Sequence, residues 1–278
     1  MRAMAINRLA SAEISAPEPM RRSTSMLAAD FARLNAAYML YLASATWLAA
    51  MVILTAPNRR GGQSSFRARE LISRHSTGYL ARLERMGCIE CEYVGFDDSL
   101  KWQGSLLCAN HPSIFDALLL FRKFPHAACV VGKNPWRHPL FSIPARHASY
   151  IPSFPALRMV KETQNLVSRG GNMIVFPEGT RTRDGALASF HDGFALAAIK
   201  SGATVRTLFI ECTSRFLGKS ISFKNPLEMP IRFRISTGDI FHPRPSQNTR
   251  DFSRTLEMYF RENLVREGEV IRRVRSLT

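Results

Sequence analysis

Apolar residues are most concentrated near the amino terminus of the chain. Residues 35–56 (NAAYMLYLASATWLAAMVILTA) carry no charged side chain, and their length suits a helix that crosses a bilayer. Tyr38 and Trp47 are ring types typical of membrane interfaces. We predict an apolar membrane-associating helix here, and the alternative is a helix buried against a soluble domain. Residues 1–34 are predicted to be an irregular tail, and residues 58–65 (NRRGGQSS) a linker.

The rest of the chain alternates between two periodicities. Apolar residues recur at helical spacing over residues 66–86, and short apolar runs then alternate with helical segments. This alternation predicts an α/β domain over residues 66–278, with a mixed, largely parallel sheet flanked by helices; the anchor helix and linker would occupy residues 35–65. Beyond the first helix, strands are predicted at 89–96, 101–109, 127–131, 173–176, 205–212 and 232–237, and helices at 114–124, 156–168, 190–200 and 250–266.

Composition adds a strong positive charge to this picture. The 278 residues include 38 Lys and Arg against 22 Asp and Glu, a formal net charge of +16. Such a field attracts nucleic acid, anionic lipid headgroups, or acidic substrates and carriers. The five cysteines are an odd number in a long chain, which argues against a secreted disulfide framework. Cys88 and Cys91 form a lone CxxC, which we interpret as reduced thiols on a strand and not as a metal site.

The first candidate chemistry is the segment NHPSIFD, residues 110–116, which follows an apolar strand. A helix is predicted to begin just after Pro112, with Ser113 near its cap and Asp116 in its first turn. Asp116 could then accept a hydrogen bond from one nitrogen of His111 while the other nitrogen takes a proton. This pair is typical of a general base that activates a hydroxyl. Because the chain has no G-x-S-x-G elbow, the pattern favours direct attack by a substrate alcohol.

The second candidate is VFPEGTR, residues 175–181, where a buried strand runs into a turn. Gly179 allows a positive φ or the close approach of a ligand. Arg181 offers a planar fork for a phosphate or a carboxylate. The alternative interpretation of this segment is an ordinary loop with a solvated arginine.

Together, NHPSIFD and FPEGTR resemble two sequence blocks of the glycerophosphate and lysophospholipid acyltransferase superfamily, typified by 1-acylglycerol-3-phosphate acyltransferases. Their order and separation agree with that superfamily, and residues 190–194 (FHDGF) resemble its F-x-x-G segment. The resemblance covers about residues 70–240.

The resemblance implies a membrane-associated O-acyltransferase of phospholipid biosynthesis. Its donor would be acyl-CoA or acyl carrier protein, its acceptor the hydroxyl of a lysophospholipid or related lyso-lipid, and it would need no metal or bound cofactor. His111 would deprotonate the acceptor and Asp116 would orient His111. The residues implied to hold the acceptor are Asn110, Glu178, Gly179, Thr180 and Arg181. The arginines that follow the apolar segment favour the cytoplasmic face of the cell membrane.

Two departures from the family pattern bear on the acceptor. In the second block the family has an arginine where this chain has Ser153, and Arg146 or Arg158 could replace that arginine. The strand at residues 205–212 lacks the family's prolines. The alternative acceptor is therefore a specialised lipid of the ornithine-lipid or aryl-polyene type.

The sequence gives weaker support to two other functions for the chain as a whole. A nucleic-acid-binding protein is supported by charge alone, because C2H2 patterns, RNP strings and heptad zippers are missing from the sequence. A catalytically silent lipid-binding relative is disfavoured by the presence of His111, Asp116 and Glu178. Neither nucleic acid nor a metal is an expected partner.

Overall fold

The computed structural model describes the backbone of residues 24–55, 63–182, 186–213 and 229–275. The strands are β1 Ile89–Val94, β2 Ser105–Ala109, β3 Ala128–Val131, β4 Ile151–Pro152, β5 Met173–Val175, β6 Thr204–Cys212 and β7 Ile231–Phe241. The helices are α1 Thr24–Thr55, α2 Gln63–Arg85, α3 Asp116–Lys123, α4 Lys133–Arg137, α5 Pro139–His147, α6 Ala156–Val167, α7 Asp192–Ser201 and α8 Thr249–Arg275.

The seven strands form one sheet in the order β1-β7-β6-β2-β5-β3-β4. Neighbouring strands are parallel except for β6 and β7, which pair antiparallel. The predicted mixed, largely parallel sheet is therefore confirmed. Its central strand β2 is buried at every position, as expected for a strand covered by helices on both faces.

Each face of the sheet packs against its own layer of helices. On one face, side chains such as Leu107 and Ala109 join a core with α1, α2, α3 and α5. On the other face, Leu106 and Cys108 join a core with α6, α7 and α8. The alternation of neighbouring β2 residues between the two cores is the period-two pattern of a strand. Strand β2 therefore lies between the two layers of helices.

The structure corrects the predicted amino-terminal boundaries. Helix α1 begins at Thr24, so residues 24–34 are helical and not an irregular tail. Asp30 and Arg33 approach each other at 3.4 Å across one turn of this helix, a spacing that supports helical structure. Helix α2 begins at Gln63, inside the predicted linker, where the hydroxyls of Ser65 and Ser149 lie 2.6 Å apart. The rest of the predicted tail and linker, residues 1–23 and 56–62, lies outside the described residues.

The region between β3 and α6 contains three elements that the sequence pattern did not predict. These are the short helices α4 and α5 and the two-residue strand β4. Pro139 occupies the first turn of α5, where its lack of a backbone N–H costs no helical hydrogen bond. Pro144 lies inside the same helix. The predicted strand at residues 101–109 is also shorter, because residues 99–101 form a 3-10 turn before β2 begins.

Candidate active site

The two motifs meet because β2 and β5 are parallel neighbours. Cys108 of β2 is paired with Val175 of β5, so both chains leave the sheet at the same edge. His111 follows β2 and the FPEGTR segment follows β5. A backbone bond from the Thr182 N–H to the His111 carbonyl, at 2.7 Å, joins the two loops directly. The carboxyl ends of parallel strands are the usual place for ligand sites in such sheets.

The predicted pair of His111 and Asp116 is in contact. The His111 Nδ1 atom lies 2.6 Å from Oδ2 of Asp116. The Asp116 side chain is fully buried, whereas 21% of the His111 side chain is exposed. Since an ionised carboxylate only accepts hydrogen bonds, it fixes the proton on Nδ1 and leaves the lone pair of the imidazole on Nε2. The geometry therefore suits a base that works through Nε2.

Ser113 completes the surroundings of Asp116. Its backbone N–H donates to Oδ2 at 2.8 Å, and its hydroxyl donates to Oδ1 at 2.6 Å. The same hydroxyl oxygen accepts the Phe115 N–H at 3.0 Å, and Phe115 is the N-cap residue of α3. Ser113 thus lies two residues before the N-cap of α3, near the cap as predicted, and donates to the Asp116 carboxylate. Asp116 itself is the first residue of α3, where a negative charge is favourable.

The imidazole of His111 is also supported from its flat side. The rings of His111 and Phe176 are stacked, with centroids 4.2 Å apart and planes 21° from parallel. Phe176 is the first residue of FPEGTR, so the second motif supplies one wall of the histidine site. Sequence reasoning did not assign Phe176 a role, although its place in the motif was a signal.

Glu178 lies behind His111, and the residue is only 1% exposed. Its carboxylate accepts the His111 backbone N–H at 2.9 Å, the Ala188 N–H at 2.9 Å and the Thr182 hydroxyl at 3.0 Å. Burial raises the pKa of this carboxyl above its ordinary value, and these donors offset part of the rise. These bonds join Glu178 to the loop that contains His111, and its role in holding the acceptor stays a prediction.

Asn110 is also buried and hydrogen-bonded to the backbone. It is 4% exposed, and its amide donates to the Ile210 carbonyl and accepts the Ile210 N–H, both at 2.8 Å. The side chain therefore extends the hydrogen bonding between β2 and β6 beyond the end of the strand. Its role in holding the acceptor likewise stays a prediction.

The other residues predicted to hold the acceptor, Gly179, Thr180 and Arg181, are at least partly exposed. Gly179 is exposed and has a φ of +63°, a conformation that favours glycine, as its position in the motif predicted. A Cβ atom there would lie 2.7 Å from the ring of His191, a residue that the motif analysis left without a role. Thr180 and Arg181 are half-buried. Burial lowers the pKa of Arg181, and the Asp116 charge opposes this shift.

Arg146 and Arg158, the two residues predicted to replace the missing arginine, do not lie at the site of His111 and Asp116. Ser153 follows β4, and its N–H donates to the Val131 carbonyl at 2.9 Å. The Arg146 guanidinium lies 4.9 Å from the ring centroid of Trp136, and Arg158 lies 4.0 Å from Glu162. Both arginines line a groove whose walls include neither His111 nor Asp116.

All five cysteines are free thiols, and burial raises the pKa of Cys91 to about 12. Among the described residues, no group of three or more His, Cys, Asp or Glu side chains is placed to hold a metal ion.

Comparison with known proteins points to one family. Residues 92–211 match the family model described as Acyltransferase. The 1-acyl-sn-glycerol-3-phosphate acyltransferase of Cocos nucifera is 30% identical over 46% of this chain and 44% of its own length. The enzyme with the same name from Limnanthes douglasii is 27% identical over 50% of this chain and 56% of its own length. The chain therefore matches about half the length of each of these relatives.

The fold also matches a solved structure. The crystal structure of the 1-acyl-sn-glycerophosphate (LPA) acyltransferase PlsC from Thermotoga maritima superposes with a TM-score of 0.66 at 16% sequence identity. The match covers 86% of this chain and 96% of that protein. At this identity the similarity shows a shared fold. His111, Asp116 and residues 176–181 all lie inside the region matched by the family model.

Proposed function

We propose that the protein, whose residues 92–211 match the Acyltransferase family model, is a membrane-associated O-acyltransferase. It transfers a fatty acyl group from the thioester of acyl-CoA or acyl carrier protein to the hydroxyl of a lysophospholipid. The observation that carries the proposal is the 2.6 Å contact between His111 and a buried Asp116, beside the FPEGTR turn.

The reaction follows from the protonation state of His111. Its Nε2 atom takes the proton of the acceptor hydroxyl while the hydroxyl oxygen attacks the thioester carbonyl carbon. The tetrahedral intermediate collapses, the C–S bond breaks, and the imidazolium returns the proton to the leaving thiolate. Asp116 stabilises the imidazolium through Nδ1 without itself taking the proton. The products are the acylated lipid and a free thiol, with no acyl-enzyme intermediate.

The proposed acceptor follows from the side chains at the exposed part of the FPEGTR turn. Arg181 carries a fork of donors suited to a phosphate, and Thr180 adds a hydroxyl beside it. Both named relatives act on 1-acyl-sn-glycerol 3-phosphate according to their names. We therefore propose a lysophosphatidate-type acceptor. Because Ser153 stands where the family has an arginine, a specialised lipid with a different anionic group is the second candidate.

Membrane association rests on helix α1. Residues 29–55 form a helical segment long and apolar enough to cross a membrane by length and composition, with only 22% of its most apolar window buried. One side of α1 packs on α2 and α5, so we propose that its opposite side enters the membrane from the cytoplasmic face. A lipid acceptor would then reach the site without leaving the bilayer.

The direct test is acyl transfer by the purified full chain. Wild type, His111→Ala and His242→Ala are assayed with decanoyl-CoA and a panel of lyso-lipids that includes lysophosphatidate. Loss of a general base should lower kcat by roughly 10²–10⁴-fold. His242 is exposed and follows β7, at the opposite edge of the sheet from His111, so its substitution should leave kcat unchanged. Equal turnover by wild type and His111→Ala would overturn the proposed mechanism.

A further inference from the structure

A second concavity lies at the opposite edge of the sheet from His111. It is a groove of about 900 Å³. Its walls include the segments that lead into strands, residues 102–103 before β2, 125–127 before β3 and 170–172 before β5. The catalytic motifs follow β2 and β5, and neither motif contributes to this groove. It is therefore separate from the proposed active site.

The charges around the groove are strongly unbalanced. Its walls contain five cationic side chains and the single carboxylate of Glu162; the cations are Arg69, Lys123, Arg146, Arg158 and Arg169. Of these, only Arg158 lies within 4.0 Å of a carboxylate in the described part of the chain. Like charges gathered around one concavity repel each other, so an anion bound between them would relieve that repulsion.

One of these cations is held in place. The Arg69 guanidinium donates to the Ala148 carbonyl at 2.9 Å and to the His126 carbonyl at 3.1 Å. Burial lowers its pKa, and the nearby Tyr150 opposes this shift. Beside it, the rings of Phe66 and His126 are stacked with centroids 3.9 Å apart. The groove thus has a fixed cationic wall as well as exposed arginines at its rim.

The position of the groove identifies the kind of anion. Its walls include residues of α2 and α5, and these are the two helices against which α1 packs. The other side of α1 exposes large apolar side chains, including Met39 at 66% and Leu54 at 77%. A cationic groove beside an exposed apolar helix matches an amphiphile with an anionic head and hydrocarbon tails.

We propose that this groove binds the phosphate headgroup of an anionic phospholipid in the bilayer, as a site distinct from the acyltransferase centre. Arg69 and Arg146 contact the phosphate, Arg158 and Arg169 lie around it, and the lipid tails follow the apolar side of α1. The proposal rests on the membrane association proposed above, but it does not depend on acyl transfer. If the groove binds such a lipid, the protein should prefer anionic membranes. This preference should depend on the residues of the groove and not on charge elsewhere on the surface.

The test compares binding of the full chain to two kinds of vesicle, one of phosphatidylcholine and one of phosphatidylcholine with phosphatidylglycerol. The groove variant carries Arg146→Gln, Arg158→Gln and Arg169→Gln, at exposed positions where the fold should tolerate the change. The matched control carries Lys161→Gln, Lys200→Gln and Arg244→Gln, with the same loss of charge at exposed positions outside the groove. Circular dichroism checks that both variants are folded.

We expect the groove variant to lose on the order of 100-fold in its preference for the anionic vesicles, at about fivefold per cation, while the control loses less than about tenfold. Binding to phosphatidylcholine alone should be the same in all three proteins. Equal losses in both variants would mean diffuse surface charge and would overturn the proposal. Wild type that binds phosphatidylcholine but shows no anionic preference would also overturn it, and would leave membrane association and acyl transfer standing.

A second arm separates lipid from soluble phosphate. Calorimetry measures the binding of dihexanoyl-phosphatidylglycerol, dihexanoyl-phosphatidylcholine, coenzyme A and inorganic phosphate to the wild type and the groove variant. The proposal predicts saturable binding of the anionic short-chain lipid that the groove variant loses. If the variant instead loses coenzyme A or phosphate binding and keeps its lipid affinity, the groove is a site for soluble phosphates and the proposal fails.

Discussion

At the scale of single residues, the site is a histidine held from three directions. Asp116 fixes the imidazole through Nδ1, Phe176 stacks on its face, and Glu178 accepts its backbone N–H. These supports come from two loops that lie far apart in sequence. Catalytic geometry of this kind depends on side chains that are themselves locked by neighbours. The residues behind the base should therefore influence the chemical step without contacting substrate.

Ser113 gives the sharpest case. Ser113→Ala removes the 2.6 Å hydroxyl bond to Oδ1 of Asp116 and leaves a buried carboxylate oxygen without that donor. A hydrogen bond to a charged group contributes ~1.5–3 kcal/mol, so we expect kcat to fall about 10–100-fold. KM for the acceptor should change less than about twofold, since Ser113 is fully buried and cannot contact it. Steady-state kinetics on both substrates provide the measurement.

The matched control for this prediction is Ser168→Ala. Ser168 is exposed at the end of α6, where its hydroxyl donates to the Asn165 carbonyl, and its loss should not affect either constant. Ser113→Thr keeps the hydroxyl and should recover part of kcat. A higher KM for the acceptor with an unchanged kcat would contradict this prediction. It would show that Ser113 only shapes the acceptor site.

The sequence predicted the contact between His111 and Asp116 but not the contacts of their neighbours. A spacing of five residues after an apolar strand, together with the family resemblance, was enough to bring His111 and Asp116 together. Asn110 and Glu178 were expected to hold the acceptor; in the structure both are buried and bonded to backbone groups. The direction of a side chain at the end of a strand depends on its neighbours in the sheet, such as Ile210 for Asn110, and those neighbours are distant in sequence.

At the scale of elements, helix α1 shows what composition could not decide. An uncharged segment of this length predicts either a membrane helix or a buried one. The structure shows a helix with two environments: Leu48 and Val52 are buried, whereas Trp47 and Ile53 are about half exposed, at 56% and 51%. Because apolar residues surround the whole helix, its sequence periodicity gave no sign of which side packs on α2 and α5.

The exposed side of α1 gives a prediction of its own. Met39→Gln with Leu54→Gln should weaken binding to phosphatidylcholine vesicles at high salt by roughly 100-fold, because two large apolar side chains would no longer be buried in lipid. The control, Ile240→Gln with Met258→Gln, changes apolar residues with 47% and 61% exposure on β7 and α8. Vesicle co-sedimentation measures both. If the control variant loses as much binding, α1 is not the membrane-contacting element.

At the scale of the whole molecule, the parallel sheet explains why two short motifs were informative. Because parallel neighbours such as β2 and β5 run in the same direction, the loops that follow them lie on one edge of the sheet. The alternation of strand and helix patterns predicted this sheet, and the predicted family resemblance is confirmed by the matching family model. The antiparallel place of β7 could not be predicted, since it depends on pairing between strands and not on the pattern within either.

The net charge of +16 belongs to no single residue, and it should act on the encounter with the acyl donor. Acyl-CoA carries phosphates, so attraction to a cationic protein should raise the rate of encounter at low ionic strength. We expect kcat/KM for decanoyl-CoA to fall about tenfold as salt is raised past ~0.15 M, with kcat unchanged.

The uncharged donor decanoyl-N-acetylcysteamine, assayed with the same saturating acceptor in a neutral detergent, serves as the control and should show no such fall. Because the acceptor and the detergent are shared, the ratio of the two donors' kcat/KM values isolates the charge of the donor. A ratio that does not change with salt would mean that the positive surface faces the membrane and takes no part in donor capture.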